Sequence, residues 1–276
     1  MLATKILNEE GEVVTNYQIY KPEGNAYDSQ YLTITGVDGE SKFTIGIPEE
    51  LSTDTFRSIS YSLDNGITWI ETENSDEEDI DIEVTTLKEG DTILLRGIGI
   101  STSNGTDSIS LDCAASFNVS GNIMSLLYGK DFKSHNAFPK NSTYNFYELF
   151  KGAYIVSAEN LILPARTLTN SCYAGMFTDS RLETTPKLPA KNLAVSCYAS
   201  MFASCANLTS APELPATTLA NNCYERMFME CEILETAPEL PATELAQYCY
   251  TEMFKDCIAL TECPALPATE LAPRCY

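Results

Sequence analysis

Apolar and polar residues alternate along seven short segments between Tyr31 and Gly121, and each segment is rich in β-branched and aromatic side chains. A period of two is typical of strands that bury one face, and the Gly, Asp, Asn and Ser residues between the segments are typical of strand connections. Seven strands in roughly 90 residues predict an antiparallel β-sandwich-like domain at 29–121. The segments are YLTITG, SKFTIGI, FRSISYSL, TWIET, IDIEVTTL, DTILLRGIGI and SFNVSG.

A second pattern, an internal repeat of 25–26 residues, occupies 142–276. A Cys-Tyr pair recurs at intervals of 25, 26, 26 and 26 residues, and the leucine of each Leu-Pro-Ala recurs at the same intervals. Phe146 stands in place of the cysteine in a worn first copy, which makes about five repeats. Repetition at a fixed interval indicates units that stack on one another. The Cys-Tyr pairs begin at Cys172, Cys197, Cys223, Cys249 and Cys275.

Each repeat combines two local patterns. Apolar residues spaced by four, with polar residues between them, predict an amphipathic helix of about three turns. Two closely spaced prolines, such as Pro212 and Pro215, predict an extended segment before it. One extended segment and one helix per repeat predict a right-handed α/β solenoid. The residues spaced by four are Leu219, Cys223, Met227 and Cys231.

The order Met-Phe-x-x-Cys-x-x-Leu … Leu-Pro resembles the BspA-like leucine-rich repeats of bacterial surface proteins, including the longer Met-Phe variant of gut Bacteroidetes and their phages. The segment YSLDNGITW … GNIMSLLYG also resembles the β-rich region that precedes such repeats. Three positions depart from the pattern: Ser180 replaces a cysteine, one residue is missing near Arg181, and Cys263 replaces the usual alanine. The resemblance implies a leucine-rich-repeat solenoid and attachment to host cells, glycans or matrix.

These patterns divide the chain into four parts. An N-terminal arm or anchor at 1–28 precedes the β-domain at 29–121, and a bridge at 122–141 leads into the leucine-rich-repeat solenoid at 142–276. The sequence ends at LAPRCY without a polar capping repeat, although an uncapped end exposes apolar surface. We therefore expect that the natural chain continues or that a partner covers this end.

Ten cysteines raise four alternatives: a metal site, a disulfide framework, a redox pair or apolar packing. Cysteines eight residues apart on a helix lie about 12 Å apart, and helices pack about 8–10 Å apart, so neither arrangement suits a disulfide. There is no Cys-x-x-Cys, and the only histidine, His135, lies outside the repeats. Packing is the favoured interpretation. The predicted buried structural thiols are Cys172, Cys197, Cys205, Cys223, Cys231, Cys249 and Cys257.

Other candidate chemistry is sparse. The hairpin Tyr61–Trp69 resembles the Asp-box of sialidase-type propellers, which is a structural hairpin in that family, and a single copy argues against a glycosidase. The acidic run Ser75–Asp81 is interpreted as a solvated loop, with a cation site as the alternative. His135 lies in a polar stretch and is interpreted as a solvated side chain. No catalytic residue, cofactor or metal is predicted.

Charge and hydropathy limit the partners. The net charge is −22, with 23 acidic and 6 basic side chains in residues 1–120 and a net −5 over the remaining 156 residues. Such a surface repels phosphate, so no nucleic acid partner is predicted. No stretch approaches the ~18–20 apolar residues of a membrane span, so no membrane insertion is predicted. The N-terminus shows no secretory signal. We expect protein partners in a virion or on a cell surface, a host glycan, and a homo-oligomer or larger assembly.

The favoured function is non-enzymatic surface binding or adhesion, as a bacteriophage virion structural protein such as a head fibre, capsid decoration or tail-associated fibre. The absence of a signal favours synthesis in the bacterial cytoplasm and display on the virion surface. A bacterial cell-surface adhesin is the alternative, and a glycosidase is the least favoured hypothesis. The ligand-facing candidates occupy two varying columns of the repeats: Glu183, Lys187, Thr209, Glu213, Glu235, Glu239 and Thr261.

Overall fold

The computed structural model describes residues 30–47, 58–72, 80–98 and 109–276. The predicted arm at 1–28 and residues 75–79 of the acidic run Ser75–Asp81 lie outside these residues. Nine strands occur in the described part of the chain. They are β1 Leu32–Asp38, β2 Glu40–Ile47, β3 Ser58–Ser62, β4 Ile70–Glu71, β5 Ile80–Lys88, β6 Thr92–Ile98, β7 Ser110–Cys113, β8 Ser116–Asn122 and β9 Ile155–Ile162.

The strands form two sheets. The larger sheet has the order β4-β3-β6-β1-β8-β9, and the smaller has the order β5-β2-β7. Every pairing between two of these strands is antiparallel except that of β8 with β9. Strand alternation buries one face of each sheet, so that Phe43 of β2 meets Phe117 of β8 edge-on at 5.8 Å between ring centroids. All seven segments predicted as strands contain one; β7 and β9 were not predicted.

The bridge between the β-strands and the repeats contains the one α-helix of the described residues. This helix, α1, spans Ser125–Tyr128, and a 3₁₀ helix follows at Gly129–Ser134. Ser125 ties it to the larger sheet: its buried hydroxyl accepts a hydrogen bond from Leu32 N–H at 3.0 Å and donates one to the Leu95 carbonyl at 2.9 Å. These two bonds satisfy a buried hydroxyl and fix α1 against β1 and β6.

Strand β9 makes the repeats continuous with the sheet. It lies in the worn first repeat and pairs in parallel with β8, Phe117 opposite Ile155. The next repeat continues this contact through an isolated parallel bridge between Ser157 and Thr184. The buried apolar residues form one cluster that runs from Leu32 to Cys275. The β-strands and the repeats therefore share one core.

The predicted helices of the repeats are absent from the structure. The segment that follows each Leu-Pro-Ala is instead a run of tight turns, in which every fourth residue has a positive φ: 58° at Asn222, 54° at Arg226 and 61° at Glu230. Neighbouring backbone N–H groups alternate between an acceptor in the same repeat, or coil, and an acceptor in the next coil. Met227 N–H donates to the Tyr224 carbonyl at 3.2 Å within the coil, whereas Phe228 N–H donates to the Met253 carbonyl of the next coil at 3.0 Å.

The prediction of an α/β leucine-rich-repeat solenoid is therefore wrong: the described fold is mainly β-sheet, with a single short α-helix. The reason lies in the spacing of the coils. Stacked rings of neighbouring repeats are only 5.6–5.8 Å apart, as in Phe202 with Phe228 and Tyr198 with Tyr224. Packed α-helices need about 8–10 Å between their axes and use up their N–H groups internally. Backbone bonding between coils therefore replaces the helix.

Two ladders of stacked aromatic rings mark the centre of the repeats. Neighbouring rings are nearly parallel, within 16° of each other, and most are fully buried. Rings of this size contribute much of the buried apolar area. One ladder contains Phe146, Tyr173, Tyr198, Tyr224, Tyr250 and Tyr276, and the other contains Phe150, Phe177, Phe202, Phe228 and Phe254. The prediction that Phe146 replaces a cysteine is wrong, because its ring stacks on Tyr173 and it therefore occupies the tyrosine position of the first repeat.

Candidate binding surface

The cysteines lie inside the stack. All ten are free thiols, and nine of them are buried, including the seven structural candidates; Cys263 is exposed. Cys205, Cys231 and Cys257 recur at equivalent positions, and each thiol donates to the carbonyl of a phenylalanine in the preceding coil. The sulfur–oxygen distances are 3.1 Å for Cys205 to Phe177, 3.0 Å for Cys231 to Phe202 and 2.9 Å for Cys257 to Phe228. Sequence reasoning missed these bonds. Its argument against disulfides between repeats used a helix spacing that does not apply to these coils.

Burial makes these thiols poor nucleophiles. It raises the pKa of Cys172 and of Cys205 to about 12, and that of Cys257 to about 11, because a thiolate in the core would lose its hydration. The tyrosine ladder is affected in the same way, and the pKa of Tyr198 lies well above its usual value. In the structure these cysteines act as small buried apolar groups, each with one weak hydrogen-bond donor, the S–H.

The Asp-box hairpin uses its acid internally. Asp64 accepts hydrogen bonds from the Thr68 hydroxyl at 2.6 Å, the Thr68 N–H at 2.8 Å and the Ser62 hydroxyl at 2.8 Å. These bonds, chiefly those from Thr68, lower the pKa of Asp64 to about 2. Trp69 is half-buried, lies 4.8 Å from the Tyr31 ring and carries Arg96 at 4.1 Å above its face. The contacts of this hairpin are those of a structural turn.

His135 lies on the outside of the bridge. Its ring stacks flat on Tyr128, with centroids 3.8 Å apart. Within the described residues, no group of three or more His, Cys, Asp and Glu side chains is placed to hold a metal ion. No helix in the described ranges is both long enough and apolar enough to cross a membrane.

The extended segment of each repeat forms the outer surface. In Pro186-Lys187-Leu188 the proline and the leucine are buried, and the lysine between them is exposed. The same alternation exposes Glu213 and Glu239 in the next two repeats. The residue two positions after the second proline, such as Lys191, is exposed as well. All seven ligand-facing candidates are exposed on the described surface: Glu183, Lys187, Thr209, Glu213, Glu235, Glu239 and Thr261.

Three connected cavities run across these extended segments, and we name them together the proline groove. Their volumes are 420, 470 and 420 Å³. The first two share Arg166, Lys187 and Pro189, and the last two share Glu213 and two prolines. The groove brings together Lys187, Glu213 and Glu239 from the second candidate column. The first column, with Glu183, Thr209, Glu235 and Thr261, is not among its lining residues.

Charge divides the proline groove into two halves. One half is lined by Lys133, Arg166, Lys187 and Lys191, with the His135 ring beside them, and the other by Glu239. Glu213 lies at the boundary, because it lines the middle cavity together with Lys187 and Lys191. Sequence reasoning missed Lys133, Arg166 and Lys191. The column that holds Arg166 and Lys191 could have been found, since the residue after each Leu-Pro-Ala changes from Arg and Lys to Thr217 and Thr243 along the repeats.

The chain matches no protein-family model, and no curated protein or solved structure matches it. The geometry of the proline groove and the sequence of the repeats are therefore the basis for a functional proposal.

Proposed function

We propose that the chain is a non-enzymatic binding protein whose repeats present the proline groove to a ligand. The observation that supports the proposal is the contrast, within each repeat, between buried residues that recur and exposed residues that vary. Most of the recurring rings and thiols are buried, whereas residues that vary between copies, such as Lys187 and Glu213, line an exposed groove. A stack joined by backbone hydrogen bonds holds such residues at fixed positions, which reduces the entropy lost on binding.

We further propose that the protein is displayed on a bacteriophage particle, as a head fibre, capsid decoration or tail-associated fibre. The resemblance of the Met-Phe repeats to those of gut Bacteroidetes and their phages supports this placement. In this arrangement the β-sheet end attaches to protein partners in the particle, and the repeats project from it. A position on a bacterial cell surface is the alternative outcome of the same experiment.

Mass spectrometry and antibody labelling of purified phage particles, with the envelope fraction of the producing bacterium as the comparison, would test the placement. Detection in particles is expected, and detection only in the envelope would contradict it. Binding is tested with the full chain on host cells and on a glycan array, with heat-denatured chain as the control. Failure to bind any host surface, or turnover of a glycan without retention, would overturn the binding proposal.

A further inference from the structure

The basic half of the proline groove arises from equivalent positions in successive repeats. The residue between the buried proline and leucine is Lys187 in one repeat and glutamate in the next two. The residue after each Leu-Pro-Ala is Arg166, then Lys191, then Thr217. The same backbone positions therefore carry cations at the sheet end of the stack and neutral or acidic groups further along. This change alters the groove without altering the fold.

The cations of the basic half form no ion pair with any acidic side chain among the described residues. Lys133, Arg166, Lys187 and Lys191 make none of the ion pairs found there, although lysines elsewhere, such as Lys42, pair with acids. The Arg166 guanidinium donates one hydrogen bond to the Pro189 carbonyl at 3.1 Å. Residues 121–200 hold 8 basic and 5 acidic side chains, whereas residues 201–276 hold 3 basic and 11 acidic ones. The basic half is thus a local positive field on a protein of net charge −22.

We propose that the basic half of the proline groove binds an acidic saccharide, with carboxylate or sulfate groups held by Lys187, Lys191 and Arg166. This inference rests on the proposed binding function and names its ligand class. Arg166 and Lys191 occupy equivalent positions one coil apart, and neighbouring rings of these coils are 5.7 Å apart. Long cationic side chains that start from backbones at this coil spacing can both reach one anionic group and bind it through charge-assisted hydrogen bonds.

The lining of the groove favours a saccharide over the other polyanions. An acidic peptide would gain its affinity by adding a strand, but prolines such as Pro186 and Pro189 have no N–H to offer to it. A single-stranded nucleic acid gains much of its affinity from bases that stack on Phe, Tyr or Trp rings, and no such residue lines the basic half. Pyranose rings, in contrast, can lie against the apolar faces of the prolines while their acid groups meet the cations.

The variant that tests the proposal takes its residues from the chain itself. In K187E/K191T the two positions receive the residues that the next repeat carries as Glu213 and Thr217. Because that repeat stacks normally with them, we expect the variant to fold with an unchanged unfolding midpoint. The reciprocal variant E213K/T217K extends the basic half by one coil and keeps the proposal testable should the first variant fail to fold.

Titration calorimetry of the full chain would use polygalacturonate and dextran sulfate as acidic saccharides. Neutral dextran, polyglutamate and a single-stranded thymidine oligonucleotide serve as the comparison probes. We expect binding to at least one acidic saccharide, weakened by salt, about tenfold or more weaker in K187E/K191T and tighter in E213K/T217K. Unchanged affinity in both variants, or equal affinity for polyglutamate or the oligonucleotide, would overturn the inference. If the chain binds no acidic saccharide but is retained on another glycan or on host cells, the inference fails while the proposed function stands.

Discussion

Replacing Ser200 by glycine should stabilise the protein, because Ser200 has a φ of 54°. A left-handed conformation costs a residue with a Cβ roughly 1–2 kcal/mol, and glycine avoids this cost. The greater freedom of glycine in the unfolded chain offsets about 0.5–1 kcal/mol of that gain. The net effect is a stabilisation of about 0–1.5 kcal/mol, with a central value of about 0.75 kcal/mol. The chain already contains this substitution, since Gly175 occupies the same position one coil earlier, with a φ of 63°.

Ala199→Gly is the matched control. Ala199 precedes Ser200 in the same run of turns and is not among the residues with a positive φ. Glycine at position 199 relieves no strained φ, so it should lower the free energy of unfolding by about 0.5–1 kcal/mol. The two substitutions are therefore expected to move the free energy of unfolding in opposite directions.

Urea unfolding followed by circular dichroism would measure both variants against the parent chain. If the segment were α-helical, Ala199→Gly would cost about 1 kcal/mol and Ser200→Gly a smaller amount, so both midpoints would fall. A loss of stability in both Ser200→Gly and Ala199→Gly would thus refute the run of turns and support an α-helix in its place. Opposite shifts would support the positive φ angles.

Three further predictions concern the thiols, the alkaline limit and the Asp-box hairpin. A thiol reagent should label Cys263 rapidly in the native protein and all ten cysteines after denaturation, and fewer than ten would indicate disulfides. The pKa values of Cys172 and Cys205 are raised to about 12 in the folded chain, so these thiols should not affect the free energy of unfolding below about pH 9. That free energy should fall from about pH 9 towards pH 12, because the thiols ionise first in the unfolded chain. A free energy of unfolding unchanged up to about pH 11 would contradict this. Asp64→Asn should loosen the hairpin, with the fluorescence of Trp69, the single tryptophan, as the measurement and Asn65→Asp as the control. In the parent chain the contribution of Asp64 is present above about pH 4 and is lost as the pH falls through about 2, so unchanged fluorescence in both experiments would contradict the role of Asp64.

The strands could be predicted because their signal is local. The clearest segments bury alternate residues, as β1 and β6 do over their whole lengths except at their ends, whereas both residues of the short strand β4 are exposed. Strand β7 has only four residues and includes Asp112, which is too short a pattern to recognise. Strand β9 depends on a parallel pairing with β8, more than thirty residues away, and no local pattern encodes that contact.

The repeat period was predictable, but the conformation within it was interpreted wrongly. A spacing of four residues satisfies the i, i+4 rule of an amphipathic helix, yet each such step turns a helix by about 400°, so the apolar stripe drifts by about 40°. From Leu219 to Cys231 that drift amounts to about 120°, which would carry the last residue off the buried face. A strict period of four is therefore a signature of repeated turns, and the buried Cys223, Met227 and Cys231 follow it.

The candidate surface was predicted in part. Variation between copies pointed to Lys187, Glu213 and Glu239, and these residues line the proline groove. The contribution of Lys133 could not be predicted, because it comes from the 3₁₀ helix of the bridge and reaches the groove only through the folded arrangement.

The alternation of backbone bonds also limits how such a chain can change length in evolution. Within a run of turns, neighbouring N–H groups serve different partners, one inside the coil and one in the next coil. Inserting one residue would exchange these roles for every residue that follows in the run, whereas adding a complete repeat would exchange none. The shortened copy fits this constraint, since its missing residue falls near Arg181, at the corner after the turns, where Arg181 lies over the Tyr154 ring. Proteins of this design should therefore vary by whole coils and by deletions at corners.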